Sequence, residues 1–279
     1  MYDGSDICGC ETPLERVRYF PRQLITAADM RAEQAFFLNK MRRHNRMLHG
    51  WGVTCGLQVT WPGQNATGLN AAGQSAAPTA TATTPTQVTV CPGFAVSPQG
   101  DDIVVDCPVT FDVATGAQAP DPCTVAWPCP PTGQLASSDN GQTMTLYLAV
   151  RAAECQTQPV RLTSPGCGCD ATACEYSRIR ESFELKVLFE IPRSHTAAAA
   201  ADAAWAEQLA AWASGNVTDR LRPPMPAPPC PPCSADPWVV IATVTLQQAT
   251  GAAGLQIQNV TAQGRRVLLS VQALQAYDL

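Results

Sequence analysis

The side chains best equipped for chemistry in this chain are its cysteines, thirteen among 279 residues. The sharpest group is Cys167-Gly-Cys169 followed by Cys174, with Cys155 upstream. Zinc takes four tetrahedral thiolate or imidazole ligands, at about 2.3 Å for sulfur. A C-x-C-x4-C group offers three on one short loop, and Cys155 is the candidate fourth. The same residues suit disulfides equally: Cys155 to one of the loop cysteines, or Cys8 and Cys10 across to the loop. A bridge inside either C-x-C pair is disfavoured because it closes a strained ring. Free thiols are the third reading. In each case the group staples a loop-rich region and turns nothing over. Cys230-Pro-Pro-Cys233 has redox spacing, but such motifs work at helix N-termini, where a thiol pKa falls. The prolines within and before it argue against that setting.

No catalytic residue emerges. The three histidines are His44, His49 and His195, and the first two, five apart on one helix, fall on different faces. There is no G-x-S-x-G, P-loop or G-x-G-x-x-G motif. The paired acids Asp101 and Asp102 follow Gly100 and read as turn residues. A net charge of −5 gives no general attraction to nucleic acid or anionic lipid. No run of about 18 apolar residues predicts a membrane span, because Asp202 and Glu207 interrupt the Ala-rich tract 197–213. Met1-Tyr-Asp-Gly-Ser-Asp lacks the basic and apolar regions of a secretion signal, which favours metal or free thiol over disulfide. A protein assembled in the cytoplasm and released later could still form disulfides.

The element positioned to organise the chain is a helix. Thr26 followed by Asp29 forms a capping box. No Pro or Gly interrupts 27–49, and Gly50 sits where a left-handed stop is expected. About 23 residues at ~1.5 Å each make a rod of roughly 35 Å. Met30, Gln34, Phe37, Met41, His44 and Leu48 alternate in steps of four and three, a coiled-coil-like seam for self-association. The alternative is a helix lying across a sheet with Gln34 and His44 at its margin. Lys40, Arg42, Arg43 and Arg46 form either a basic strip for an acidic partner or a solvated face that suits the helix C-terminus.

Period-two alternation predicts strands at 53–61, 87–91, 94–96, 102–105, 107–113, 143–152, 183–191, 238–246 and 255–260. Residues 196–214 read as an Ala-rich helix. Residues 265–277 read as a short C-terminal helix with Val267, Leu268, Val271 and Leu274 on one face. The expected fold class is therefore α+β: mainly antiparallel β with one long N-terminal helix, the Ala-rich helix and the C-terminal one. Three parts are expected. Residues 1–61 form an assembly module of arm, helix and first strand. Residues 62–86 form a low-complexity loop. Residues 87–279 form a β-rich body with a Cys-rich loop at 155–174 and a Pro/Cys-rich linker at 216–236.

Arg18-Tyr-Phe-Pro-Arg-Gln-Leu-Ile-Thr-Ala-Ala-Asp29, Arg31-Ala-Glu-Gln34, His44-Asn-Arg-Met-Leu-His-Gly-Trp-Gly-Val53 and Cys55-Gly-Leu57 together resemble the N-terminal module of a family of phage-tail-like proteins found with contractile injection systems. The segments Tyr176–Leu185 and Val239–Arg266 are similar to later parts of the same family, whereas loops 62–86, 114–142 and 216–236 are particular to this chain. The resemblance implies a non-enzymatic structural component in the baseplate, fibre or cap. It implies partners that are other copies of itself and neighbouring particle proteins, and no nucleic acid. Tail spikes and fibres commonly associate as trimers. Localisation would be cytoplasmic during assembly, then within a particle that is released or membrane-anchored. The interface residues would be Met30, Phe37, Met41, His44 and Leu48 on the seam, with Arg42, Arg43 and Arg46 beside it. Structural zinc is the single candidate cofactor. The rival reading is a carbohydrate- or cell-surface-binding β module, which would place Trp51, Trp61, Trp127 and Trp238 on an exposed face.

Overall fold

The computed structural model describes residues 13–62, 85–118, 143–161, 174–214, 227, 230–231, 234–248 and 255–270. The expectations for Cys8, Cys10, Cys167, Cys169, Cys233 and Trp127, and for most of the three long loops, lie outside these residues.

The chain opens with helix α1 (Ala27–His44), continues through a π-helical turn (Asn45–His49), and enters β1 (Gly52–Gly56) and β2 (Val59–Thr60). Next come β3 (Gln87–Val90), β4 (Gly93–Val96), β5 (Asp102–Val105), β6 (Val109–Asp112) and β7 (Ala117–Gln118). The long pair β8 (Met144–Arg161) and β9 (Cys174–Leu188) leads to helix α2 (Arg193–Ala213), and β10 (Val239–Gln248) and β11 (Leu255–Thr261) follow. The strands form three antiparallel sheets ordered β1-β4-β5, β2-β3-β6-β7 and β11-β10-β8-β9. One core joins them. Val53, Leu57, Val88, Val90, Ile103, Phe111, Leu146, Leu148, Ile241 and Leu246 are buried in a single cluster. Alternation explains the placement, since β5 and β6 bury every second residue.

These findings correct the expected fold class. Three antiparallel sheets dominate, and the two described helices are minor elements at their margin. The helix expected to run unbroken to His49 leaves α-geometry at His44, and its last five residues form the π turn. The Gly50 N–H bonds the Asn45 carbonyl at 3.0 Å, five residues back, and Gly50 adopts φ of +80°. The C-terminal helix does not form over 265–270. Leu268 N–H bonds the Val53 carbonyl at 2.9 Å, Val53 N–H bonds the Arg266 carbonyl at 2.8 Å, and Val267 bridges Val53 in parallel. Val267 and Leu269 point outward while Leu268 packs on the core. The apolar residues there follow the period of a strand, and the free edge of β1 captures them.

The capping box closes the start of α1: Thr26 N–H bonds Asp29 Oδ2 at 2.8 Å, and Asp29 N–H bonds Thr26 Oγ1 at 3.2 Å. The Thr26 hydroxyl, donating to Asp29 Oδ2 at 2.7 Å, and then the Thr26 N–H hold the Asp29 carboxyl below its usual pKa. The far end of the helix rests on the turn between β4 and β5. Ser97 Oγ accepts from Gln99 N–H at 3.2 Å and Asp101 N–H at 2.9 Å, shaping a turn whose residues 97–100 are buried. Asn45 Nδ2 donates to the Gly100 carbonyl and to Asp102 Oδ1, both at 2.9 Å, and Arg42 pairs with Asp101. Gly100 lies at φ +95°, and a Cβ there would overlap the Arg42 carbonyl. Gly100→Ala should therefore cost at least about 2 kcal/mol through strain and steric overlap. A urea unfolding midpoint unchanged from wild type would contradict this docking.

Candidate functional site

Where α1 meets the body, three side chains from distant parts of the chain stack together. Trp51, just after the π turn, is buried. The His195 ring meets it edge-on, with centroids 4.7 Å apart. The Arg266 guanidinium lies 5.0 Å from the Trp51 centroid, its Nε donates to the Trp51 carbonyl at 3.1 Å, and it pairs with Asp202 of α2. His195 Nε2 accepts the Val240 N–H of β10 at 3.1 Å, so the ring proton sits on Nδ1, 3.3 Å from Ser194 Oγ. Burial first, and the Arg266 charge second, lower the His195 pKa from 6.5 to about 4. This histidine is a neutral hydrogen-bond acceptor that fixes α2 to β10, and it is not poised for proton transfer at neutral pH. Next to the stack, Arg265 donates to the Leu57 carbonyl at 3.0 Å and to the Gly56 carbonyl.

A cavity of about 620 Å³ opens beside this stack. Its walls are the π turn, the first turns of α2, Cys230, Pro231, Ser234, Ala235, Asp236 and Arg266. Arg46 lines it and is 6% exposed. Its Nε has no hydrogen-bond partner.

The residues singled out in the sequence separate. Of the basic strip, Arg43 is exposed, while Arg42 is half-buried in its ion pair with Asp101 and Arg46 is buried at the cavity. The strip is therefore no continuous surface, because 42 and 46, four apart, share the inward side of the helix. The seam residues Met30, Gln34, Phe37, Met41, His44 and Leu48 are all exposed. His44 and His49 are in contact, with centroids 5.3 Å apart, and not on opposite faces. The wider π turn brings i and i+5 together.

The cysteine group does not assemble as expected. Cys155 pairs with Arg180 in the β8–β9 ladder and Cys174 pairs with Arg161. Six ladder steps between them span roughly 20 Å, which rules out one zinc ion or one disulfide shared by the two. Cys155, Cys55, Cys91 and Cys230 are free thiols, and burial raises the Cys91 pKa. Cys107 is disulfide-bonded. Sequence reading overlooked it, because connectivity leaves no trace in spacing. Among the described residues no three His, Cys, Asp or Glu side chains cluster as a metal site.

Among the described residues, Trp51, Trp61 and Trp238 do not form a shared exposed face. Trp51 is buried, Trp61 packs on the core, and Trp238 sits between Arg151, 4.9 Å from its centroid, and Lys186, 5.6 Å away. No described helix is long and apolar enough to cross a membrane. No protein-family model and no curated protein matches the chain.

The stack makes a pH prediction. Unfolded His195 takes a proton near pH 6.5 and folded His195 near pH 4. Between these values the unfolded chain binds more protons, so stability is complete above about pH 6.5 and falls as the pH drops towards 4. The loss should be about 1–3 kcal/mol. His195→Gln should be less stable at pH 7 but lose less between about pH 7 and pH 4.5, by urea denaturation. Equal losses in both proteins would contradict the role given to His195.

Proposed function

We propose that this chain is a non-enzymatic structural component of a contractile, phage-tail-like injection particle, in its baseplate, fibre or cap region. On this reading it assembles in the cytoplasm and becomes part of a particle that is released or membrane-anchored. Its work is to make contacts with other copies of itself and with neighbouring particle proteins. The observation that carries the reading is the state of α1. None of its 18 residues is buried. Met30, Phe37 and Met41 are 53%, 60% and 56% exposed, and Leu48 beyond them is 70% exposed.

An isolated helix of this length is marginal in water, and most helices owe their stability to burying an apolar face. Here that face looks outward. Its steps of four and three match the seam of a helix pairing with its own kind, so a second or third copy of α1 is the covering surface that the pattern suits. The capping box and the docked C-terminal end hold the helix in place for that contact. A second outward element supports the same reading. Beyond Val150 β8 pairs with β9 alone, and this ribbon exposes Val160, Tyr176 and Ile179. A two-stranded ribbon is itself marginal alone. The resemblance of the α1 region to tail-associated proteins points the same way, and spikes and fibres of that kind offer the trimer as a form.

Phe37→Asp combined with Met41→Asp tests the seam. The double variant should keep its strand content by circular dichroism and sediment as a monomer, while the wild type sediments as an oligomer. An oligomer mass unchanged by the two aspartates would refute the contact.

A further inference from the structure

Arg46 presents an unsolved electrostatic problem within the described residues. A guanidinium stays charged at any pH a protein tolerates, and an unpaired buried charge is strongly unfavourable. Arg46 is nonetheless 94% buried, and its Nε has no hydrogen-bond partner. None of the nearby carboxylates hydrogen-bonds Arg46. Asp101 holds Arg42, Asp202 holds Arg266, and Asp236 accepts from the Trp238 N–H at 3.2 Å. The other polar wall of the cavity is the start of α2. There Pro192 precedes the helix without a side-chain cap, so its first N–H groups and the Arg193 side chain add positive potential. The lining also includes Asp202, paired with Arg266, and Asp236, and its apolar part is formed by Met47, Ala197, Ala201 and Trp205. A volume of about 620 Å³ lies within the range of small-molecule sites.

We propose that this cavity binds a carboxylate carried on an apolar body, with the carboxylate on Arg46 and the body against Met47 and Trp205. Planar, bidentate recognition of a carboxylate is the chemistry a guanidinium performs best. The ligand is either a free small carboxylate or the C-terminal residue of a peptide chain. Both present the same group. Trp51, buried at the cavity's inner edge, and Trp205 report on its occupation by their fluorescence.

The test titrates the full-length protein with sodium phenylacetate and with its neutral isostere phenylacetamide, following tryptophan fluorescence and the melting temperature. A second arm compares a short peptide ending in Ala-Phe, with a free carboxyl terminus, against the same peptide as its amide. The charged forms should bind and raise the melting temperature, and the neutral forms should do neither. Response to phenylacetate alone assigns a free carboxylate, and response to the peptide acid assigns a chain terminus. Arg46→Met keeps the aliphatic stem and should weaken binding at least about tenfold, or ~1.4 kcal/mol. If Arg46→Met does not fold, Ala201→Trp, which fills the cavity and leaves Arg46 in place, should abolish the response. The proposal is overturned if neither acid binds, if the neutral forms bind as well as the acids, or if the folded variant binds like wild type.

Discussion

The fold depends on the stacking of Arg266 on Trp51 and of Trp51 on His195. Each of these residues belongs to a different element, and the stack adds to the backbone bonds that hold each of them. Trp51 fixes the exit of the π turn into β1. His195 ties the first turn of α2 to the backbone of β10. Arg266 ties the chain after β11 to β1 and, through Asp202, to α2. Cation–π and edge-to-face contacts contribute about 0.5–2 kcal/mol each when shielded from water. Here they act together with hydrogen bonds to buried backbone groups, whose loss would leave those groups unsatisfied. The helices thus sit at fixed positions on a β body that gives them little apolar surface.

That arrangement accounts for the difference between the docked C-terminal end of α1 with its π turn and the exposed apolar seam. The inward side is polar: Arg42 and Asn45 reach the acids of the β4–β5 turn, and Arg46 reaches the cavity. The outward side carries the apolar seam. A helix held to its own subunit by charge and showing apolar residues to solvent is arranged for a partner to cover it. In the proposed particle, the same geometry would let α1 keep a set angle while it packs against other copies.

Much of the sheet was legible in the sequence, because β-branched alternation at 102–105, 143–150 and 239–246 has one physical reading. Capping was legible too, since Thr26 and Asp29 act locally. The misreadings involve distance. Residues 265–270 carry apolar side chains that fit a short helix, and nothing local reveals that β1 has a free edge to capture them. The spacing of Cys155 and Cys174 suggests proximity, yet a long hairpin turns sequence neighbours into ladder positions far apart. Arg46 looked like one charge of a solvated strip. Its burial follows from the docking of this end of the helix against the cavity wall and α2, a long-range contact that local spacing does not signal. The Trp51–His195–Arg266 stack was invisible for the same reason, as its members lie more than 140 and 70 residues apart along the chain.

The measurement closest to the central claim is gradient sedimentation of the native protein from a gently opened cell of its source, followed by an antibody. Co-migration with very large particles that also contain sheath and tube proteins is the predicted result. Sedimentation of all the protein as a free monomer or small oligomer, away from any such particle, would contradict the account.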